Sequence, residues 1–334
     1  MYSTLQESGI PPAKRVFLGD HWQILLLDSQ VFGVPHGELS DFQLEWLEHQ
    51  LAEAPERYTL LLLHHHPLPA GCSWLDQHSL RTVSYTHLDV YKRQRYTRAW
   101  AHLGETLPRP KAIVVVSAHW FTRGTGVTAM EAPKTIHDFG GFPQALYDTH
   151  YPAPGSPALA QRLVELLSPV PVTLDKEAWG FDHGSWGVLI KMYPHADIPM
   201  VQLSIDSTKP PAWHLEMGRK LASLRDEGIM LVASGNVVHN LRTARWHGEN
   251  TPYPWAESFN NYVKANLQWQ GPDDQHPLVN YLAYEGGSLS NPTAEHFLPL
   301  LYVLGAWDGV EAISTPVDGI EMGSLSMLSV VVGA

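Results

Sequence analysis

The sequence predicts an α/β fold in which a mostly parallel or mixed central sheet carries helices on both faces, preceded by an incomplete α/β fragment. Two observations predict it. From Tyr96 onward, apolar runs of strand length alternate with longer segments of helical periodicity. Apolar residues make up 44% of the 334 residues and charged residues 17%, which suffices for a buried core and argues against disorder.

The first part of the chain has the pattern of a piece of an α/β unit. Trp22 to Asp28 is a predicted buried strand, and Ser40 to Ala54 is a predicted amphipathic helix with Ser40 as its N-cap. Thr59 to Leu63 is a second predicted strand, and it runs into His64, His65 and His66. The following stretch from Thr82 to Gln94 has no helical or strand periodicity and no turn chemistry typical of a linker.

From Tyr96 the alternation becomes regular, and it predicts strands at 111–116, 170–174, 199–203, 229–233 and 325–332, with helices at 157–167, 214–227, 255–267 and 293–305. A segment that begins at Asp182 and His183 is left without an assigned type. We therefore predict three parts: a fragment at 1–81, a junction at 82–95, and a main domain at 96–334.

Composition excludes several classes of protein. The net charge is −12 and no basic patch stands out, which argues against a nucleic-acid partner. Apolar runs are strand-length, so no membrane span is expected, and the N-terminus lacks the pattern of a signal peptide. Cys72 is the single cysteine, so the chain cannot form an internal disulfide, which fits a cytoplasmic protein.

Several of the 19 histidines follow apolar runs, at the positions where open α/β sheets bind ligands. They are His119, His183, His239 and, near the start of the last predicted helix, His296. Any one alone is more readily explained as a hydrogen-bonded structural residue, but four together indicate a metal centre. Neutral imidazoles suit Zn²⁺ and Fe²⁺, and no cysteine follows Cys72 to supply a thiolate. The remaining histidines considered are interpreted as surface residues: His150, His195, His214, His247 and His276.

Five motifs stand in order along this part of the chain. They are Ser117-Ala-His-Trp120, Thr135-Ile-His-Asp-Phe-Gly-Gly-Phe-Pro143, Gly180-Phe-Asp-His-Gly-Ser-Trp186, Ala233-Ser-Gly-Asn-Val-Val-His-Asn240 and Ser290-Asn-Pro-Thr-Ala-Glu-His296. Together they resemble the DODA-type, class III, LigB-like extradiol ring-cleavage dioxygenases, over residues 96–334. The resemblance implies an enzyme that binds a catechol and O₂ on one Fe²⁺, or Zn²⁺, and opens the ring beside the two hydroxyls.

Carried over residue by residue, the resemblance implies that His119 and His296 are metal ligands. It makes His239 either a further ligand or the group that handles catechol and oxygen protons. His183 is then a second acid/base or a substrate contact. Asp182 either orients His183 by accepting an N–H bond or serves only in a turn.

His137 and Phe139 are expected in a loop near the substrate. In that loop, the pair Gly140 and Gly141 could serve only a tight turn. Oligomeric state cannot be inferred from the sequence.

One expected segment is missing. The family's domain should open with a strand and a Gly-His-Gly-Ser-Pro type loop that supplies one more ligand histidine, and the sequence has neither. The string TVSYTHLDVYKRQ stands there instead and resembles a translated sequencing adapter, so His87 within it is not counted as a replacement. We expect an impaired dioxygenase. The alternatives are a non-catalytic metal-binding domain of the same fold and a cyclic-nucleotide phosphodiesterase.

Residues 1–81 contain the motifs Ile24-Leu-Leu-Leu-Asp-Ser-Gln30 and Leu61-Leu-Leu-His-His-His-Pro67, among others. With them this part resembles the middle of a bacterial 3′,5′-cyclic-AMP phosphodiesterase of the metallophosphoesterase fold. Of that family's ligand motifs only the histidine before proline is present, because Gly19-Asp20 follows no Asp-x-His strand and is interpreted as a turn. No dinuclear site is expected, and we hypothesise a chimeric reading frame joined at 82–94.

Overall fold

The computed structural model describes residues 13–30, 37, 39, 41–65, 86–140, 144–245 and 251–333. The chain divides into two compact units, Met1–Arg95 and Tyr96–Ala334. Within the described ranges, none of the helices has the length and hydropathy needed to cross a bilayer.

The first unit contains a three-stranded sheet of order β1-β2-β3, with β1 at Ala13–Leu18, β2 at Trp22–Leu27, β3 at Tyr58–Leu62 and helix α1 at Asp41–Glu53. β1 and β2 form an antiparallel hairpin, whereas β2 and β3 are parallel and joined through α1. The sequence predicted β2, α1 and β3, whereas β1 was not expected. The core of the first unit is small, since Leu27 and Leu39 are the buried members of its apolar cluster.

The second unit is larger, and its described elements follow the chain in this order: α2 Thr86–Thr106 (which begins before the unit boundary), β4 Ala112–Thr122, β5 Thr125–Thr128, α3 Gln144–Tyr147, α4 Pro157–Leu167, β6 Val172–Asp175, α5 His183–Met192, β7 Met200–Asp206, α6 Pro211–Leu221, β8 Ile229–Ser234, α7 Pro254–Ala265, α8 Gly287–Ser290, α9 Leu298–Gly305, β9 Ile313–Val317, β10 Ile320–Glu321, β11 Leu325–Ser326 and β12 Ser329–Val332.

A five-stranded sheet of order β6-β5-β7-β4-β8 forms the centre of this unit. β4 is parallel to both β7 and β8, and β5 is parallel to β6 but antiparallel to β7, so the sheet is mixed. Successive residues of β4 face opposite layers: Val115 packs with Trp186 of α5, whereas Val114 packs with Leu163 of α4 and Leu301 of α9. The predicted fold class, with helices on both faces, is confirmed.

Three predicted elements need correction. The stretch at 82–94 was expected to be irregular, but α2 begins at Thr86, and no glycine or proline interrupts residues 86–103. Residues 82–85 lie outside the described part. The predicted closing strand at 325–332 is two short strands, and they pair with β10 and β9 rather than with the central sheet. The last long helix begins at Leu298, with Pro299 in its first turn.

Two histidines predicted to be on the surface are buried. His214 lies in α6 with no exposed surface, and its Nδ1 is 3.0 Å from the Tyr302 hydroxyl. His276 is also buried, and its Nδ1 accepts the backbone N–H of Leu278 at 3.1 Å. His150 and His195 are exposed, as predicted. His247 lies outside the described residues.

Candidate metal centre and active site

Four predicted histidines meet beyond the sheet, on four different segments. His119 lies near the end of β4, His183 opens α5, His239 follows β8, and His296 precedes α9. Their rings form a row in which neighbouring centroids are 4.0 Å apart for His183 and His119, 5.2 Å for His119 and His296, and 3.5 Å for His296 and His239. The last pair is stacked at 3°.

The segments that carry His239 and His296 are tied together by backbone hydrogen bonds. The N–H of Asn236 donates to the carbonyl of His296 at 2.9 Å, and the N–H of His239 donates to the carbonyl of Ser290 at 2.8 Å. A Cβ at Gly235 would stand 2.3 Å from the His296 carbonyl oxygen, so this turn requires glycine. The Ser-Gly-Asn turn therefore sets the spacing of the two stacked rings.

A carboxylate that sequence analysis did not select holds His183 in place. Asp138 Oδ1 accepts both the backbone N–H and the ring Nδ1–H of His183, each at 2.9 Å, and Asp138 Oδ2 is 3.4 Å from Nδ1 of His119. Burial raises the pKa of Asp138, but the hydrogen bonds from His183 outweigh it and the pKa lies below its ordinary value. An ionised acceptor at Nδ1 leaves Nε2 of His183 as the lone-pair nitrogen. The only signal in the sequence was the place of Asp138 beside His137 in a family motif.

Asp182 has a different role from the one expected. Its carboxylate is fully buried and accepts hydrogen bonds from Ser117 Oγ at 2.8 Å, from the backbone N–H of Ser185 at 3.0 Å and from Gln202 Nε2. It is the N-cap of α5. The prediction that Asp182 orients the ring of His183 is therefore wrong, and its place in a turn was the correct alternative. Its geometry also gives a substrate no exposed carboxylate to contact.

The loop with His137 and Phe139 lies beside the histidine row. The Phe139 ring stands edge-on to His183 with centroids 5.3 Å apart, so it forms a wall next to that imidazole. His137 Nε2 is 2.8 Å from the carbonyl of Thr149 and its ring packs against Trp186, which places it behind Phe139. The rest of this motif, residues 141–143, lies outside the described residues.

The local environment keeps at least two of the imidazoles neutral. Burial, with the neighbouring His183 and His296, lowers the pKa of His119 to about 4. Burial and the neighbouring His296 lower the pKa of His239 to about 3. At neutral pH both rings therefore carry free lone pairs, the form in which histidine binds metal.

His296 has a buried nitrogen without a hydrogen-bond partner. Its Nδ1 is unpaired, and the nearest carboxylate oxygen, Oε1 of Glu295, stands 3.6 Å away, which is too far for a hydrogen bond. An orphaned nitrogen among neutral imidazoles is a donor set that fits a divalent metal ion.

Two ligand sets share His119. Among the described residues, candidate ligand atoms that all lie within 4.8 Å of one another come from His119, Asp138 and His183. The set predicted from sequence, His119 with His239 and His296, is linked by the ring contacts of the row. Both sets offer the nitrogen and oxygen ligands that Fe²⁺ and Zn²⁺ accept.

Comparison with known proteins finds relatives of two different kinds. A 3′,5′-cyclic adenosine monophosphate phosphodiesterase of Escherichia coli (strain K12) is 85% identical over 83 residues, 25% of this chain. That match covers 30% of the phosphodiesterase, so the chain spans under a third of that relative.

The larger match is to a ring-opening dioxygenase. The 4,5-DOPA dioxygenase extradiol of Escherichia coli (strain K12) is 82% identical over 246 residues, 74% of this chain and 91% of that protein. A 4,5-DOPA dioxygenase extradiol of Beta vulgaris is 38% identical over 203 residues, 59% of this chain and 74% of the relative.

A crystal structure of an uncharacterized Escherichia coli K12 protein superposes with a TM-score of 0.65 at 80% identity, over 70% of this chain and 91% of that one. The model of the catalytic LigB subunit of aromatic ring-opening dioxygenase matches residues 87–326. The chain therefore belongs to the LigB family of aromatic ring-opening dioxygenases.

Proposed function

We propose that residues 96–334 form a metal-dependent extradiol dioxygenase that opens the ring of DOPA-like catechols with O₂. We assign one Fe²⁺ or Zn²⁺ to His119, His239 and His296. The observation that carries the proposal is the convergence of four histidines from four segments, with an unpaired nitrogen on His296 in their midst. The relatives named as 4,5-DOPA dioxygenases support the substrate class.

When bound, the metal supplies a common site for catechol and O₂ and a path for electrons between them. The chain's own contribution is a set of imidazoles that need not lose a proton before they bind it, because the pKa values of His119 and His239 lie well below neutral pH. His296 contributes a nitrogen that has no hydrogen-bond partner in the folded chain, with the Glu295 carboxylate 3.6 Å away.

His183 is the proposed base for the catechol. Because Asp138 holds the proton on Nδ1, Nε2 is free to accept a proton from a catechol hydroxyl and return it later. The edge of Phe139 next to His183 limits how the aromatic ring can lie. His239 is the alternative acid/base, since it lies at the far end of the row beside His296.

We also propose that the metal is held weakly. The resemblance implies one more histidine from a loop that the sequence lacks, so the centre relies on fewer imidazoles than the family's pattern. Removal of one ligand should lower metal affinity by at least about 100-fold. Loss of a residue that only hydrogen-bonds to a ligand already lowers the affinity by about 10–100-fold.

The test is an assay of the full chain with L-DOPA and added Fe²⁺, in which the yellow ring-cleavage product and O₂ uptake are followed together. We expect slow turnover that saturates only at high Fe²⁺, and none with EDTA. Metal binding without O₂ uptake on a panel of catechols would instead show a non-catalytic metal-binding domain. Hydrolysis of cyclic AMP serves as the control for the first unit, and we expect none.

We further propose that the chain is chimeric and cytoplasmic. The two matches to two unrelated enzymes support a junction near 82–94. Long-read sequencing through codons 82–94 of the source genome tests it, and an uninterrupted read would contradict the chimera.

A further inference from the structure

β8 is the edge strand of the central sheet, and in the described part of the chain its one strand partner is β4. All six residues of β8 are half-buried, whereas Val114, Val115 and Val116 of the neighbouring strand are completely buried. In a parallel pairing, alternate residues of an edge strand point their N–H and C=O groups away from the partner. The outer side of β8 therefore offers a row of backbone donors and acceptors.

A cavity of about 730 Å³ runs along the whole of β8. Its walls are largely apolar on both faces of the sheet, and Arg109 and Arg225 line it as well. On one face Met192 of α5 and Met230 pack against the same apolar cluster, and on the other Leu300 of α9 and Val330 of β12 share a cluster with Leu231. We call this cavity the β8 groove. It is the place where one more strand of the sheet would lie.

We propose that the β8 groove binds an extended peptide of about six apolar residues, which adds a sixth strand to the sheet. Only a peptide backbone can pair with alternating donors and acceptors along a strand edge. Because both walls are largely apolar, an occupant that is apolar on both of its faces fits best, as in strands of sheets covered on both sides. At about 3.3 Å per residue, six residues span roughly the 20 Å length of β8.

One end of the β8 groove reaches the histidine row, since His119, His183 and His296 line it. A docked strand would therefore cover the side of the row that faces the groove. The inference does not depend on the proposed dioxygenase activity, because its test measures backbone protection.

The experiment is amide hydrogen exchange on the full chain, with a synthetic probe. The probe is a lysine-flanked hexapeptide of valine and isoleucine, N-methylated along one edge so that it cannot stack with itself. We expect exchange in residues 229–234 to slow by at least about tenfold at saturating peptide, because the outward N–H groups become paired.

A matched pair of variants separates groove binding from other effects. A Cβ added at Gly187 on α5 meets no heavy atom within 4 Å, and the residue lines the β8 groove, so Gly187→Leu fills the groove without a backbone clash. Lys191→Leu places a leucine at an exposed position of the same helix. We expect Gly187→Leu to abolish the protection and Lys191→Leu to keep it.

Three results would overturn the proposal. One is wild-type exchange that the peptide leaves unchanged. Another is protection that persists in Gly187→Leu. The third is protection of 229–234 that rises with protein concentration in the absence of peptide, which would mean that a second copy of the chain pairs with the β8 edge.

Discussion

Each unit of the chain contains an apolar strand with histidines at or near its end, yet among the described residues imidazoles from several separate segments meet only in the second unit. In the first unit, β3 leads to His65, which is buried and satisfied locally, with Nδ1 2.9 Å from Ser29 Oγ. In the second unit, β4 carries His119 near its end, and the ring of His119 meets His183 on one side and His296 on the other. The local sequence pattern is the same, and the tertiary surroundings differ.

The contrast between the two strand ends shows which feature identifies a metal centre. An unpaired nitrogen is not enough, because His214 also leaves its buried Nε2 without a partner while Nδ1 lies beside Tyr302. What distinguishes His296 is that its unpaired nitrogen belongs to a ring packed against two other imidazoles. Convergence from several segments, not position after a strand, carries the inference.

The largest effect on turnover is expected at His183, the proposed base. His183→Gln should lower kcat by about 10²–10⁴-fold, because the amide cannot accept the catechol proton at the position of Nε2. The metal content should stay at the wild-type level, since His183 is not in the assigned ligand set. Metal analysis beside steady-state kinetics checks both, and a loss of metal in this variant would favour the set with Asp138 instead.

A buried histidine outside the row should act on stability through pH. Burial lowers the pKa of His214 to about 4 in the folded chain, against about 6.5 when unfolded. Below pH 6.5 the unfolded state binds the extra proton, so stability is complete above that value and falls as pH drops toward 4.

The full loss is about 3 kcal/mol at about 1.4 kcal/mol per pKa unit. Urea unfolding at pH 7 and pH 4.5, for the wild type and for His214→Gln, isolates this contribution. An identical pH dependence in the two proteins would contradict a neutral buried His214.

A smaller effect on turnover is expected at Asp138, the carboxylate that is hydrogen-bonded to His183. Asp138→Asn should reduce kcat by about 10–100-fold, because a neutral amide no longer fixes the proton on Nδ1 of His183. The pH profile of kcat should shift as well, which a purely structural change would not cause. Asp182→Ala is the contrasting variant, because it removes the N-cap of α5, and we expect its main cost in stability.

The smallest effect is expected in the first unit. His65→Gln removes a hydrogen bond to Ser29, worth about 1 kcal/mol, and should leave metal content and dioxygenase activity unchanged. Metal analysis of the purified variant checks that the metal content is unchanged. A fall in metal content would mean that the two strand-end sites are not as different as their surroundings indicate.

Sequence patterns located the histidine row because strand ends and the start of the last predicted helix can be read from apolar periodicity, and the family motifs gave these histidines their expected roles. They missed Asp138, since its bond to His183 depends on how a loop folds back across 45 residues. They placed His214 on the surface because its partner, Tyr302, is 88 residues away. The short β5, which contains a glycine, was also missed, and its antiparallel pairing with β7 makes the sheet mixed.

The most direct test of the central claim is the position of the metal, found by anomalous diffraction at the iron or zinc edge on crystals soaked with that ion. We predict one peak within about 2.0–2.2 Å of a ring nitrogen of each of His119, His239 and His296. A peak bound instead by Asp138 and His183, with His239 and His296 left free, would contradict the assignment.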